Sequence, residues 1–170
     1  MNNPFCITFA GVVGSSKTPI AHHLGWNLGL PIFNNDTLRT EVQEDLLRFD
    51  QEEYLHRRND RSKALLHTGM PFIYDASVDR EWGRLAEWLA EDNYRHFIIS
   101  LDLSRELLDK IYAAKGYTEG YRLNELMAQH AQFLEEYGNT TGLHITDAEF
   151  SRRLDVSLQA VKAWIASLSN

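Results

Sequence analysis

The sequence predicts an α/β protein of three layers, doubly wound around a mainly parallel five-stranded sheet. Three observations carry that expectation. Short apolar runs alternate with helix-length amphipathic stretches, a rhythm that right-handed crossovers fold into a parallel sheet. The first run, Phe5-Cys6-Ile7-Thr8-Phe9-Ala10, passes directly into Gly11-Val12-Val13-Gly14-Ser15-Ser16-Lys17-Thr18 and then a helix-like stretch from Pro19 to Leu28. Two later runs, Pro31-Ile32-Phe33 and Pro71-Phe72-Ile73-Tyr74, are followed by Asp36 and Asp75. That is the carboxyl edge, where parallel sheets bind ligands.

At 170 residues and 44% hydrophobic, the chain suits one well-buried domain over 1–170, and no linker or repeat divides it. The formal charge of -7 argues against a general nucleic-acid binder while leaving room for a local basic patch. The lone Cys6 excludes an internal disulfide, reads as a small core residue and fits a reducing compartment. No apolar stretch approaches the roughly 20 residues of a membrane span, and the N-terminus lacks a basic-then-apolar leader. A cytoplasmic protein is expected, with no membrane partner.

The glycine-bearing loop fits G-x-x-x-x-G-K-[ST] except that Ser16 replaces the second glycine. Loop N–H groups and the positive helix end converge on one spot, a lysine adds full charge, and a hydroxyl stands ready for Mg²⁺. Gly11, Gly14, Ser15, Ser16, Lys17 and Thr18 are therefore candidate contacts to a nucleoside triphosphate such as ATP. Ser16 must either adopt a left-handed backbone, at about 1–2 kcal/mol, or crowd the phosphates. Pro19 has no N–H to offer an α-phosphate.

The remaining elements follow in order. Gly29 and Pro31 end the first helix, and a short strand then leads to Asp36-Thr37-Leu38-Arg39 at the start of the second. Their i, i+3 spacing places Asp36 and Arg39 on one face. Asp36 reads either as the base that accepts a hydroxyl proton, with Arg39 holding phosphate charge, or as an ordinary helix-start acid in an ion pair. Asp50 caps a longer helix with Glu53 three residues on, and its middle, His56 to Lys63, concentrates positive charge. That run is either a solvated face or a contact for an acidic acceptor. Asp75 ends the third strand, positioned to hold Mg²⁺ with Thr18.

Trp82, Leu85, Ala86 and Leu89 mark an amphipathic helix, His96 to Leu101 the fourth strand, and Ser104 the cap of the next helix. Between 110 and 122, Lys115, Gly116, Gly120 and Arg122 form either a lid over the phosphates or a plain connection. His130 lies on the apolar stripe of the following helix and reads as a satisfied core histidine, while His22-His23 has no metal-ligand spacing. Leu143 to Thr146 is the fifth strand, and Leu158, Val161, Ile165 and Leu168 face the last helix inward.

With these motifs in place, the chain resembles a P-loop kinase of the P-loop NTPase superfamily. It most resembles the small kinases that include the 5′-hydroxyl kinase domain of phage polynucleotide kinase, the zeta toxins and predicted AAA-type kinases. The resemblance implies that Lys17 contacts the β- and γ-phosphates, Thr18 and Asp75 serve Mg²⁺, Asp36 is the base and Arg39 binds phosphate. Lys115 and Arg122 stand where lid arginines are common. The implied activity is transfer of the γ-phosphate of ATP or another nucleoside triphosphate to a hydroxyl of a small-molecule or nucleotide-like acceptor. Two alternatives stand beside it: a non-catalytic binding module with a degenerate loop, and a nucleic-acid 5′-end kinase.

Overall fold

The computed structural model describes residues 4–117 and 122–168. Five strands, β1 (Phe5–Ala10), β2 (Ile32–Asn34), β3 (Phe72–Ser77), β4 (Arg95–Leu101) and β5 (Thr141–Ile145), form one sheet in the order β2-β3-β1-β4-β5. Every pairing is parallel. Strands buried on both faces must be apolar throughout, which is why β1 and β4 read as nearly unbroken hydrophobic runs.

Alternate residues of the sheet point into two cores. On one face Ile7, Phe9, Ile73, Phe97, Ile99 and Leu101 pack beneath α1 (Lys17–Leu28), α5 (Arg105–Ala114) and α7 (Arg153–Ser167). On the other, Cys6, Ala10, Phe72, Tyr74 and Ile98 pack beneath α3 (Gln51–Leu66), α4 (Trp82–Glu91) and α6 (Leu123–Tyr137). The sheet is thus the middle layer of three. Between β2 and α3 runs α2 (Asn35–Leu46), which shares with α3 a small core of Leu38, Val42 and Tyr54, bordered by Phe33 and Phe49.

The caps are those the residues favour. Asn34 accepts from the N–H groups of Asp36 and Thr37, Asp50 from those of Glu52 and Glu53, and Ser104 from that of Leu107. The helix ending before Gly69 stops at Leu66, and the first helix begins at Lys17, with Pro19 inside its first turn. A proline is tolerated there because that turn's N–H groups have no intrahelical acceptor. Among the described residues, no helix is long and apolar enough to cross a membrane.

Candidate active site

The loop after β1 follows a backbone path that side chains resist. Gly11 and Gly14 have φ of +125° and +83°, and a Cβ on Gly14 would stand 2.9 Å from the Tyr117 ring. Ser16 takes the left-handed conformation, φ 86° and ψ 29°, despite its side chain. The crowding alternative is thereby set aside in favour of backbone strain.

Lys17 is folded into this loop. Its ammonium donates to the carbonyls of Gly11 at 2.8 Å and Val12 at 2.7 Å, and to Ser15 Oγ at 3.3 Å. Burial pulls its pKa down to about 8, against the attraction of Asp79 and Asp75. Outside the loop, Tyr112 donates its hydroxyl proton to the Val13 carbonyl at 2.5 Å, and Lys115 Nζ donates to that of Gly14 at 2.7 Å. Within the loop the Ser15 N–H closes a turn onto the Val12 carbonyl, and these contacts together fix the path of the backbone.

Thr18, Asn34, Asp36 and Asp75 come together at the carboxyl edge of the sheet. Thr18 Oγ1 donates to Asp75 Oδ1 at 3.3 Å and Asn34 Nδ2 donates to Oδ2 at 2.7 Å. The register explains how Asp75 reaches this point: β1 pairs Thr8 with Tyr74 and then Phe9 with Ser77. Asp75 and Ala76 are thereby freed from the β1 ladder, and such a bulge re-aims a side chain. Burial raises the Asp75 pKa, with the charge of nearby Asp36 adding to the effect and the bonds from Thr18 and Asn34 opposing it. A partly buried carboxylate next to a hydroxyl is a suitable oxygen donor set for Mg²⁺, which takes few protein ligands and keeps water and phosphate oxygens for the rest. Among the described residues, no cluster of three or more His, Cys, Asp or Glu offers a fuller cage.

Asp36 is exposed at this edge, in the first turn of α2. The same-face ion pair with Arg39, one of the two readings of this spacing, does not form. Arg39 instead lays its guanidinium 4.2 Å from the centroid of Phe49 and 5.8 Å from that of Tyr54. A cation over an aromatic face gains about as much as an exposed ion pair, and the rings of α3 and its approach are within reach. Lys115 is exposed and lies beside the loop, while Arg122 is exposed at the start of α6. The rest of the expected lid, 118–121 with Gly120, lies outside the described residues.

The positive run of α3 is spent on acids. Arg57 bonds Glu41, Asp45 and Glu53, Arg61 bonds Glu41, and the buried Arg58 bonds Glu81 at 2.6 Å. His56, Arg61 and Lys63 remain on an exposed face, but the three arginines are already paired with carboxylates.

Sequence reasoning missed the carboxylates around His130. Asp79 accepts from the Gly11 N–H at 3.0 Å and meets His130 Nδ1 at 3.2 Å, while His130 Nε2 meets Asp102 Oδ1 at 3.0 Å. Asp102 also meets His144 Nδ1 at 2.6 Å and accepts from Ser100 Oγ. Burial works against the charge on His130, yet its two carboxylates raise its pKa to about 9. Both acids are correspondingly held below the usual carboxylate range despite their burial. His130 is indeed a satisfied core histidine, but its partners tie it to the first residue of the loop. Strand-end acids one or two residues past β3 and β4 were the available signal.

A parallel sheet in this order, with a glycine loop and buried lysine between β1 and α1, is a fold shared with solved kinase structures. Solved structures with this fold include a gluconokinase from Sinorhizobium meliloti, 15% identical, with 99% of this chain and 98% of that chain covered at a TM-score of 0.68. The APS kinase of Mycobacterium tuberculosis, in complex with AMPPNP and APS, is 17% identical over 95% of this chain and 99% of its own, TM-score 0.64. A shikimate kinase from Acinetobacter baumannii, in complex with shikimate, is 14% identical over 98% and 96%, TM-score 0.60. At these identities the likeness is one of fold. No protein-family model matches the sequence, and no curated protein does.

Proposed function

We propose that the chain is a single-domain kinase over residues 1–170, moving the γ-phosphate of ATP or another nucleoside triphosphate to a hydroxyl of a small-molecule or nucleotide-like acceptor. The observation that carries this reading is the meeting of Thr18, Asp75 and Asn34 beside the Lys17 loop, with Asp36 on the same edge. Structural neighbours that are kinases of gluconate, APS and shikimate support it.

On this reading the loop and the first turn of α1 offer their N–H groups to the phosphates, and Lys17 leaves its carbonyl acceptors for the β- and γ-oxygens. Thr18 and Asp75 would hold Mg²⁺, which offsets phosphate charge as the bridging P–O bond breaks. The acceptor oxygen bonds to the γ-phosphorus while its proton passes to an oxygen of Asp36. The β-phosphate oxygen leaves with the electron pair. Arg39, Lys115 and Arg122 supply further positive charge, the last two from the 110–122 lid. The neutralised arginines of α3 favour a small acceptor over a nucleic-acid end.

A thermal-shift titration with Mg²⁺ plus ATP, GTP and their diphosphates tests the donor. At about 100 times Kd the expected stabilisation is roughly 2.7 kcal/mol, absent in Lys17→Ala. An acceptor screen with Asp36→Asn follows, where turnover should vanish with nucleotide binding retained. A protein that no nucleotide stabilises would refute the kinase reading.

A further inference from the structure

We propose that Arg153 is a ligand of the donor nucleotide, bringing its guanidinium to the α-phosphate position that Pro19 leaves without a backbone donor. The proposal rests on the nucleotide-binding reading above and concerns the two positions at which the loop departs from its pattern.

Ser16 and Arg153 are joined although 137 residues separate them: Arg153 Nε donates to Ser16 Oγ at 3.1 Å. The residue that breaks the glycine pattern is therefore the one that engages α7. The guanidinium is further fixed by Nη1 donating to the Phe150 carbonyl at 3.0 Å and by lying 4.3 Å from the Phe150 ring centroid. These contacts orient the fork and leave Nη2 with no hydrogen-bond partner among the described residues. Two-donor forks suit phosphate oxygens.

Charge points the same way. Arg57, Arg58 and Arg61 each meet a carboxylate, whereas Arg153 forms no ion pair among the described residues. It stands near Lys115, whose pKa is lowered by burial and then by the Arg153 charge, and Lys115 in turn touches Gly14. Arg153 thus adds a second cation to Lys115 beside this loop, and neither of the two forms an ion pair among the described residues. Pro19 lies in the first turn of α1, three residues after Ser16. In the pattern G-x-x-x-x-G-K-[ST], the residue after the hydroxyl offers its N–H to the α-phosphate, and proline has none. Arg153 is the donor that the fold places next to that turn.

A double-mutant cycle tests this. Dissociation constants of Mg²⁺-ATP and Mg²⁺-ADP are measured for the wild type, Arg153→Met, Pro19→Ala and the double variant, with ligand-free melting as a check on folding. Arg153→Met should weaken both nucleotides about ten- to a hundredfold, the loss expected for one charge-assisted hydrogen bond. Pro19→Ala restores an N–H, so the same change in that background should cost threefold or less. If Arg153→Met does not fold, Arg153→Lys and Ser16→Ala replace it, and each should weaken ATP and ADP alike by at least threefold. Binding within twofold of wild type, a loss confined to ATP, or an equal loss in both backgrounds overturns the proposal. A wild type that binds no nucleotide overturns the kinase reading itself, and is recognised by the absence of any Lys17-dependent stabilisation.

Discussion

Replacing His130 by Gln should reveal how much the buried charge chain behind the loop contributes, and the answer should depend on pH. His130 and Asp79 have side chains only 9% and 8% exposed, and each imidazole nitrogen faces a carboxylate. The pKa rises from an ordinary 6.5 to about 9. At 1.36 kcal/mol per unit, that difference corresponds to about 3 kcal/mol of native-state stabilisation. Because the folded value lies above the unfolded one, the contribution is complete below about pH 6.5 and is lost as pH rises through 9. Lys17 runs the opposite way, since its folded value falls to about 8 and stability from that source grows with pH above it. Comparing His130→Gln with wild type at each pH removes the Lys17 contribution, which both share. Urea unfolding at pH 6, 7.5 and 9.5 should give a gap of about 3 kcal/mol at the lowest pH, narrowing by the highest. A gap that stays constant across the three would refute the imidazolium bridge.

Asp75→Asn should keep the Asn34 contact region folded but remove the Mg²⁺-dependent part of nucleotide stabilisation, read by melting with and without chelator. Glu81→Ala strands the buried guanidinium of Arg58 and should destabilise the protein by about 2–3 kcal/mol in urea titrations, with Arg58→Met milder than the loss of the acid alone. Gly142→Ala places a methyl group 2.3 Å from the Phe97 ring, so overpacking should lower stability by about 1–3 kcal/mol by the same assay. Binding of a small acceptor should change little between 50 and 200 mM salt, because the α3 arginines are already paired.

The fold was legible because its signals are local. Glycine at a strand end, Asn34, Asp50 and Ser104 at helix starts, and apolar runs of strand length each act within a few residues. The glycine-bearing loop between β1 and α1 was legible for the same reason, while at Ser16 the sequence left two readings, of which the structure takes the left-handed one. What could not be read depends on contacts between distant segments. An Asp36–Arg39 ion pair stood as one reading because spacing on one helix is all that sequence displays, whereas Phe49 beyond the helix end captures the guanidinium. The partners of His130 cannot be seen from its sequence neighbourhood, since Asp79 and Asp102 come from the ends of β3 and β4, 51 and 28 residues away. Arg153 could be linked to Ser16 only once α7 was docked beside α1.

Asn34 has one further consequence. Its Oδ1 caps α2 while its Nδ2 holds Asp75, so one amide ties the α2–α3 hairpin to the end of β3. Beyond that amide, the tip of the hairpin keeps a miniature core of its own, Leu38, Val42 and Tyr54 with Phe49 and Leu55. Substitutions along the exposed side of α2 should therefore leave the sheet's two cores undisturbed. The hairpin is also fastened to the body through Leu66 of α3, the Arg58–Glu81 pair and Phe33, so its exposed face can vary while these contacts hold.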